Sequence, residues 1–510
     1  MAEPCTHDEV YRFDDGVVTD EFVVPGARRR QDQVNELHYD EWMSESDSVL
    51  WHIERDPLLR STITSVWFLD TTPDHARMDA VVDRIVARIP RLHQRVIDER
   101  PGVATPRWMD DPHVDVHYHY TWARLPGRRP GRRQVLEHAQ RMAARAFDRD
   151  RPLWELCVVE GLPGKRAAFI MKVHHAIADG LGMVQLLAHM VDLEADPIPE
   201  STPEDVEPPP LVDGRLRIEA PVWAIPGARS LGHRIASEAR TSVRLGKASI
   251  RTAGDLLRDP IGTIEQLGRT TGSIARVVKP ATTPLSPVMT DRSLNTHFEA
   301  VSVPFAAMKS AARSVDGTLN DAFVAVTLDA LERYHDALGH PCSAVRMNMP
   351  ISVRSGEGAN NFDNQFVPAR MVLPLSGVEP AERIGEVKDL LRAVRAEPAL
   401  RHVNDISGVI SRFGPSAAVS ILGAMLKGVD ITTSNVPGPR FPVFMAGARV
   451  EEFYAFGPLA GAAINITLFS YDGTVHLGVN ADRAAVTDHE LFTRCLRAAL
   501  DDTVALSLTA

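Results

Sequence analysis

His174-His175-Ala176-Ile177-Ala178-Asp179-Gly180 places two imidazoles and a carboxylate where an apolar strand turns into a helix. Upstream, Ala167-Ala168-Phe169-Ile170-Met171-Lys172-Val173 is bounded by Gly164-Lys165-Arg166 and has the pattern of a short buried strand. Downstream, Met183, Leu186, Leu187, Met190 and Val191 recur at three- and four-residue spacing and form one helical face. Gly180 and Gly182 permit a tight turn, and Asp179 stands where an N-cap would. Such a turn is where a base would be placed to deprotonate a hydroxyl.

The same residues admit other readings. A histidine beside an apolar strand is more often a hydrogen-bonded structural group than a catalyst. Two adjacent histidines alternate faces if the strand continues, so at most one points into a given cleft. Asp179 taken alone reads as a helix cap. A metal site would need further ligands, and no second His/Cys/Glu cluster with ligand spacing accompanies the motif.

At 510 residues the chain suits two domains of roughly 200 residues plus a connection. Hydrophobic content of 44% and charge of 24% are ordinary for a globular protein, and a net charge of -11 argues against general nucleic-acid binding. Cys5, Cys157, Cys342 and Cys495 lie far apart without CxxC pairing, which points to free thiols in a reducing, cytoplasmic setting. The first thirty residues contain no secretory core. The longest apolar stretch, Ala417 to Leu426, is broken by Ser420 and Gly423 and falls short of the roughly 18 residues that span a bilayer, so membrane contact is expected to be peripheral.

Four regions follow: an extension over 1–42, an α/β domain over 43–193, a connection over 194–295 and a second α/β domain over 296–510. In the first domain Trp67-Phe68-Leu69 reads as strand and Met78 to Ile89 as helix, while Val114, Val116, Tyr118 and Tyr120 alternate with His117 and His119, which predicts a strand with both histidines facing solvent. The connection opens with an acidic, proline-stiffened stretch to Pro210. It then turns basic, with 12 Lys/Arg against five carboxylates over 215–279, a net of +7. Arg240, Arg244, Lys247 and Arg251 share one helical face there, either simply solvated or meeting anionic lipid headgroups. In the second domain helices are expected through Phe305 to Arg313 and Asn320 to Leu338, a strand near Val345-Arg346-Met347, a hairpin over 463–480 and an amphipathic helix from Asp488 to Asp502. No dinucleotide or P-loop glycine signature occurs, so hydride and phosphoryl transfer leave the leading candidates. No Gly-x-Ser-x-Gly elbow occurs, and Cys157 has no base beside it in sequence, which disfavours a covalent acyl-enzyme.

HHxxxDG after a strand resembles the active-site motif of the CoA-dependent acyltransferase superfamily. The bacterial wax ester synthase/diacylglycerol acyltransferase family is the closer resemblance, carried by several segments in order. Phe147-Asp148-Arg149-Asp150-Arg151-Pro152-Leu153-Trp154-Glu155 is similar to its DRxRPLWE segment, and Leu319-Asn320-Asp321 to its ND motif. Met349-Pro350-Ile351-Ser352-Val353-Arg354, with Gly358-Ala359-Asn360-Asn361, Thr433-Ser434-Asn435-Val436-Pro437-Gly438-Pro439 and the hairpin from Ala463, complete the set. Met43-Ser44-Glu45-Ser46-Asp47 stands where these proteins usually begin, so the likeness runs from about 43 to 505.

The resemblance implies two chloramphenicol-acetyltransferase-like α/β domains, each with a central sheet, and an active site in a tunnel at their interface. It implies an O-acyltransferase that moves a long-chain acyl group from acyl-CoA to diacylglycerol or a fatty alcohol. Acyl-CoA is then a substrate and no cofactor is called for. The setting would be the inner membrane face or a lipid inclusion. By the same resemblance His175 is the general base, His174 supports it, and Asp179 with Gly180 organises the loop by pairing with an Arg, for which Arg354 is a candidate. Asn320, Asp321 and the Thr433-Ser434-Asn435 turn are candidates for oxyanion or substrate support, although Asn320-Asp321 also reads as an N-cap. Pro152, Leu153 and Trp154 read as packing beside the histidine strand. Acylation of another alcohol or an amine, such as a polyketide-derived hydroxyl, and a non-catalytic lipid-binding homologue are the alternatives.

Overall fold

The computed structural model describes residues 40–98, 105–127, 129–177, 183, 186–197, 211–212, 215–216, 283–352, 366–395 and 426–508. Asp179, Gly180, Arg354, almost all of the N-terminal extension and nearly all of the basic 215–279 segment lie outside the described residues.

The first half opens with α1 (Glu45–Ile53), started by the Ser44 hydroxyl, which accepts the Asp47 N–H. It continues through β1 (Thr62–Leu69), α2 (His75–Arg88), the β2 (Gln94–Ile97) and β3 (Arg107–Asp110) ladder, and the short α3 (Val116–His119). β4 (Tyr120–Arg124), α4 (Arg132–Ala144), β5 (Trp154–Glu160) and β6 (Ala167–His174) follow. The expected strand across 114–120 begins only at Tyr120. The Asp115 carboxylate accepts the His117 N–H and turns the chain into α3, which leaves His117 and Tyr118 exposed and buries His119. β7 (Leu211–Val212) and β8 (Arg215–Leu216) form a two-residue ladder in the connection.

The second half runs β9 (Thr296–Pro304), α5 (Phe305–Arg313), α6 (Leu319–Ala337), β10 (Ala344–Ser352), β11 (Phe366–Pro374) and α7 (Pro380–Arg395). β12 (Ile431–Pro437), β13 (Phe444–Met445), β14 (Ala448–Phe456), β15 (Ile464–Tyr471), β16 (Thr474–Asp482) and α8 (His489–Ala505) complete it. Its sheet has the order β11-β10-β12-β15-β16-β9, parallel at β10/β12 and β12/β15 and antiparallel elsewhere. The four helices pack on one face of it around Met347, Ile464, Leu477 and the buried length of α6.

The other six-stranded sheet has the order β13-β14-β1-β6-β5-β4, so its first two strands come from the second half of the chain. Residues 444–456 are placed by sequence in the C-terminal domain, yet β14 pairs antiparallel with β1 from Thr64↔Phe456 to Leu69↔Val450, and β13 pairs with β14 at the sheet edge. β6 is buried at every position because both faces are covered. Phe169, Met171 and Val173 meet a core shared with α2, and Ala168 and Ile170 meet one shared with α4 and with Phe298 and Ala300 of β9. A strand buried on both sides reads as a continuous apolar run, which is how its sequence looks. No helix among the described residues is long and apolar enough to cross a membrane.

Candidate active site

β6 ends at His174, and the chain turns there. The His174 N–H donates to the Leu153 carbonyl (3.0 Å), and the Ile177 N–H returns to the His174 carbonyl (2.9 Å). The His174 ring is buried, and its Nδ1 accepts the Ala176 N–H (3.0 Å), so the proton of the neutral ring sits on Nε2. That nitrogen lies 3.1 Å from Glu54 Oε1, at the end of α1. Trp51 and Phe147 close over the imidazole edge-on, each 6.1 Å away.

Glu54 is the residue that the sequence did not single out. Its Oε1 also accepts the Ser61 N–H (2.6 Å), and the Ser61 carbonyl accepts the His175 N–H (2.8 Å). The carboxylate therefore holds both sides of the turn: through His174 to the backbone of Ala176, and through Ser61 to that of His175. Burial alone would raise its pKa, but His174, the Ser61 N–H and Arg149 outweigh this and hold it below the ordinary value. Arg149, from the DRxRPLWE segment, donates to the Trp51 carbonyl (3.0 Å) and lies over the Trp51 ring at 4.0 Å. His175 itself is half-buried, beyond the last ladder pair of β6.

The rest of that segment braces the histidine strand. Pro152, Leu153 and Trp154 are buried. Leu153 supplies the carbonyl that receives the His174 N–H, and the Trp154 indole donates to the Leu92 carbonyl (2.7 Å). His119 stacks on Trp154 with centroids 4.6 Å apart, and its Nδ1 lies 2.7 Å from the Trp154 carbonyl. Its partner sits on β5, so spacing around 117–119 gave no sign of it. Glu155 pairs across the sheet with Lys172, a fully buried ammonium 2.6 Å away and 4.1 Å from the Phe147 ring centre.

In the second half, Thr318 rather than Asn320 caps α6. Its hydroxyl accepts the Asp321 N–H, and the Asp321 carboxylate accepts from the Thr318 N–H (2.8 Å) and hydroxyl (2.9 Å), so Asp321 is occupied in a capping box. Asn320 follows inside the first turn, buried, with its Oδ1 accepting from Asn435 Nδ2 (3.3 Å). Thr433-Ser434-Asn435 is not a turn but the middle of β12, paired parallel with β15. Alternation then separates its side chains. Thr433 is fully buried against Met347 (3.5 Å) and Asn435 reaches Asn320, while Ser434 is half-buried on the opposite side. Val436 packs against the core that also holds Ile177 and Trp154, so β12 spans from one core to the other. Gly438 follows where a Cβ would collide with the Ser470 carbonyl and the Phe469 ring.

Cys157 has a base in space though not in sequence: His138 Nε2 of α4 lies 3.7 Å from its sulfur. Burial pushes the Cys157 thiol up and the His138 imidazole down, so both favour their neutral forms, the reverse of an activated thiolate. No group of three His, Cys, Asp or Glu side chains among the described residues could hold a metal ion.

Comparison with known proteins gives the family and the fold. The wax ester synthase/diacylglycerol acyltransferase catalytic domain matches residues 43–323, and the C-terminal domain of the same family matches residues 362–503. The chain is an acyltransferase of the wax ester synthase/diacylglycerol acyltransferase family. A Mycobacterium tuberculosis protein named as a candidate diacylglycerol O-acyltransferase is 33% identical over 462 residues, covering 90% of this chain and 91% of its own length. A second one from that organism, named likewise, is 29% identical over 78% of this chain and 82% of its own length. Among solved structures, the wax ester synthase/diacylglycerol acyltransferase from Marinobacter aquaeolei VT8 matches with a TM-score of 0.58 at 19% identity, covering 91% of this chain and 99% of that one. The first condensation domain of the calcium-dependent antibiotic synthetase matches at 0.56 and 16% identity, over 93% of this chain and 97% of its own. These two likenesses establish the fold.

Proposed function

We propose that the chain transfers a long-chain acyl group from acyl-CoA to diacylglycerol, with a long-chain fatty alcohol as a second acceptor and His175 as general base. The observation that carries the reading is the double clamp on the turn, in which Glu54 fixes the backbone on both sides of His175 while leaving that imidazole at the end of the strand. The names borne by the Mycobacterium relatives and the Marinobacter enzyme favour diacylglycerol and wax ester products.

A thioester is already activated, so the chemistry needs no cofactor. His175 takes the proton of the acceptor hydroxyl as its oxygen attacks the thioester carbonyl. The tetrahedral oxyanion collapses with cleavage of the C–S bond, and His175 returns the proton to the departing CoA thiolate. An imidazole suits both transfers because its ordinary pKa of about 6.5 lies near working pH. Asn320 and Asn435, whose side-chain amides meet, are the polar groups assigned to the oxyanion or the acceptor, and Asp321 acts by fixing the first turn of α6 beneath Asn320. The water-insoluble acceptor places the enzyme peripherally at a membrane face or lipid inclusion.

The test follows CoA release and lipid product from palmitoyl-CoA with diacylglycerol and, separately, hexadecanol. His175→Ala is expected to lower the rate by about 10²-fold or more with an unchanged melting temperature. Equal rates for both forms remove His175 from the mechanism, and the absence of product with either acceptor removes the substrate class.

A further inference from the structure

α4 ends in two exposed arginines one helical turn apart, Arg141 and Arg145. Against that end lies Arg60, whose guanidinium donates to the Ala144 carbonyl (2.9 Å). Basic groups at a helix C-terminus complement its dipole, and Arg60 alone satisfies that demand. No carboxylate among the described residues pairs with Arg60, Arg141 or Arg145. The acidic groups nearby are engaged elsewhere: Glu137 with Arg133, Asp56 with Lys427, Glu54 with His174, and Glu155 with the buried Lys172. Positive charge is dense enough here that Arg145 and Arg60 add to the burial that lowers the Lys172 pKa, and Arg141 and Arg145 do the same to His138. In a chain of net charge -11, this concentration of unneutralised cations calls for an anionic ligand.

The position says which one. Arg60 directly precedes Ser61, the residue whose carbonyl holds the His175 N–H, so its backbone adjoins the segment that holds the candidate base while its guanidinium reaches the exposed end of α4. An acyl-CoA donor carries its reacting carbonyl at one end of the pantetheine arm and a pyrophosphate and ribose phosphate at the other. We infer that Arg60, Arg141 and Arg145 bind the phosphate end of the acyl donor, an assignment that rests on the acyl-CoA reading of the site. Guanidinium forks suit phosphate oxygens through paired charge-assisted hydrogen bonds. The arm then runs inward past the α4 terminus toward His175.

The experiment measures binding of CoA and of pantetheine, which lacks the phosphates, to the full-length wild type and to the Arg141→Ala/Arg145→Ala variant. The same pair is tested for binding to phosphatidylglycerol vesicles and for the ratio of kcat/KM with palmitoyl-CoA to that with palmitoyl-pantetheine. The CoA Kd is expected to rise about tenfold or more, with a smaller change for pantetheine and a matching fall in the kcat/KM ratio. The salt dependence of CoA binding should weaken as well. An unchanged CoA Kd overturns the assignment, as does equal weakening of CoA and pantetheine. Lost vesicle binding with intact CoA binding gives the cluster to lipid headgroups instead. A wild type that binds CoA through these arginines yet transfers no acyl group would refute the acyltransfer reading and leave the phosphate site standing.

Discussion

Glu54 shows how a single carboxylate can set the geometry of a neighbouring base. Replacing it with alanine removes the acceptor for both Ser61 and His174, and the turn loses its two anchors. The expected result is a fall in kcat of about 10²-fold at little-changed KM, since misplacing a base mainly affects the chemical step. Glu54→Gln keeps a carbonyl acceptor and should retain at least about a tenth of the wild-type kcat, because the hydrogen bonds persist and only their charge assistance goes. Steady-state kinetics with palmitoyl-CoA separates the two variants, and equal losses would mean that the charge, not the anchoring, matters. Nothing in Trp51-His52-Ile53-Glu54 reveals this role, because a glutamate after a short amphipathic helix looks like a solvated one and its partner lies on a distant strand. The histidine motif was legible because its residue types and spacing are local. A second residue, His476, is buried on β16 with no hydrogen bond to either ring nitrogen among the described residues. Burial lowers its pKa to about 4, with Arg132 of α4 reinforcing and Glu452 of β14 opposing, and the Tyr454 ring lies 5.0 Å away. The unfolded chain holds this proton up to about pH 6.5, whereas the native state accepts it only near 4. Its contribution is therefore a loss of native stability as pH falls from about 6.5 toward 4, by at most about 3 kcal/mol. His476→Phe should flatten that part of the stability profile in urea melts at stepped pH; an unaltered slope would show that the acid sensitivity lies elsewhere.

At the scale of elements, the strands and helices with simple periodicity were legible: β1, β6, α2, α5, α6, the β15/β16 hairpin and α8 all lie where the pattern put them. The failures have local causes. The 114–120 alternation was overridden by the Asp115 side chain, and Thr433-Ser434-Asn435 looked like a turn because of its polar residues, although the β-branched Ile431-Thr432-Thr433 run continues through it as a central parallel strand. The cap of α6 was sought two residues too late, at Asn320. Thr318→Ala should cost about 1 kcal/mol of stability and also disturb Asn320, so a lowered melting temperature is expected together with a reduced kcat. Where β14 crosses β16, a Cβ on Gly478 would collide with the Ala455 carbonyl, whose strand cannot retreat without leaving β1. Gly478→Ala is expected to destabilise by about 1–3 kcal/mol, read as a shift in denaturant midpoint, and an unshifted midpoint would mean that the two strands move apart freely.

For the whole molecule, composition and length indicated two α/β units, but no local pattern could show that β13 and β14 cross from one to the other, because β1, the strand that receives β14, is far away in sequence. Trp67 of β1 packs on Phe453 with ring centres 4.7 Å apart, and Phe453 lies 3.9 Å from Phe469 of β15. An N-terminal fragment ending in the connection would leave β1 as an open apolar edge, so it is expected to aggregate in size-exclusion chromatography and to become soluble when the second half is produced with it. A monodisperse fragment would show that β1 is covered some other way. The crossing also bears on how such proteins can recombine. A chimera joined at the connection would marry the first half of one relative to a β14 shaped for another, so a working exchange of halves must carry residues 444–456 along with the first, although they are encoded in the second.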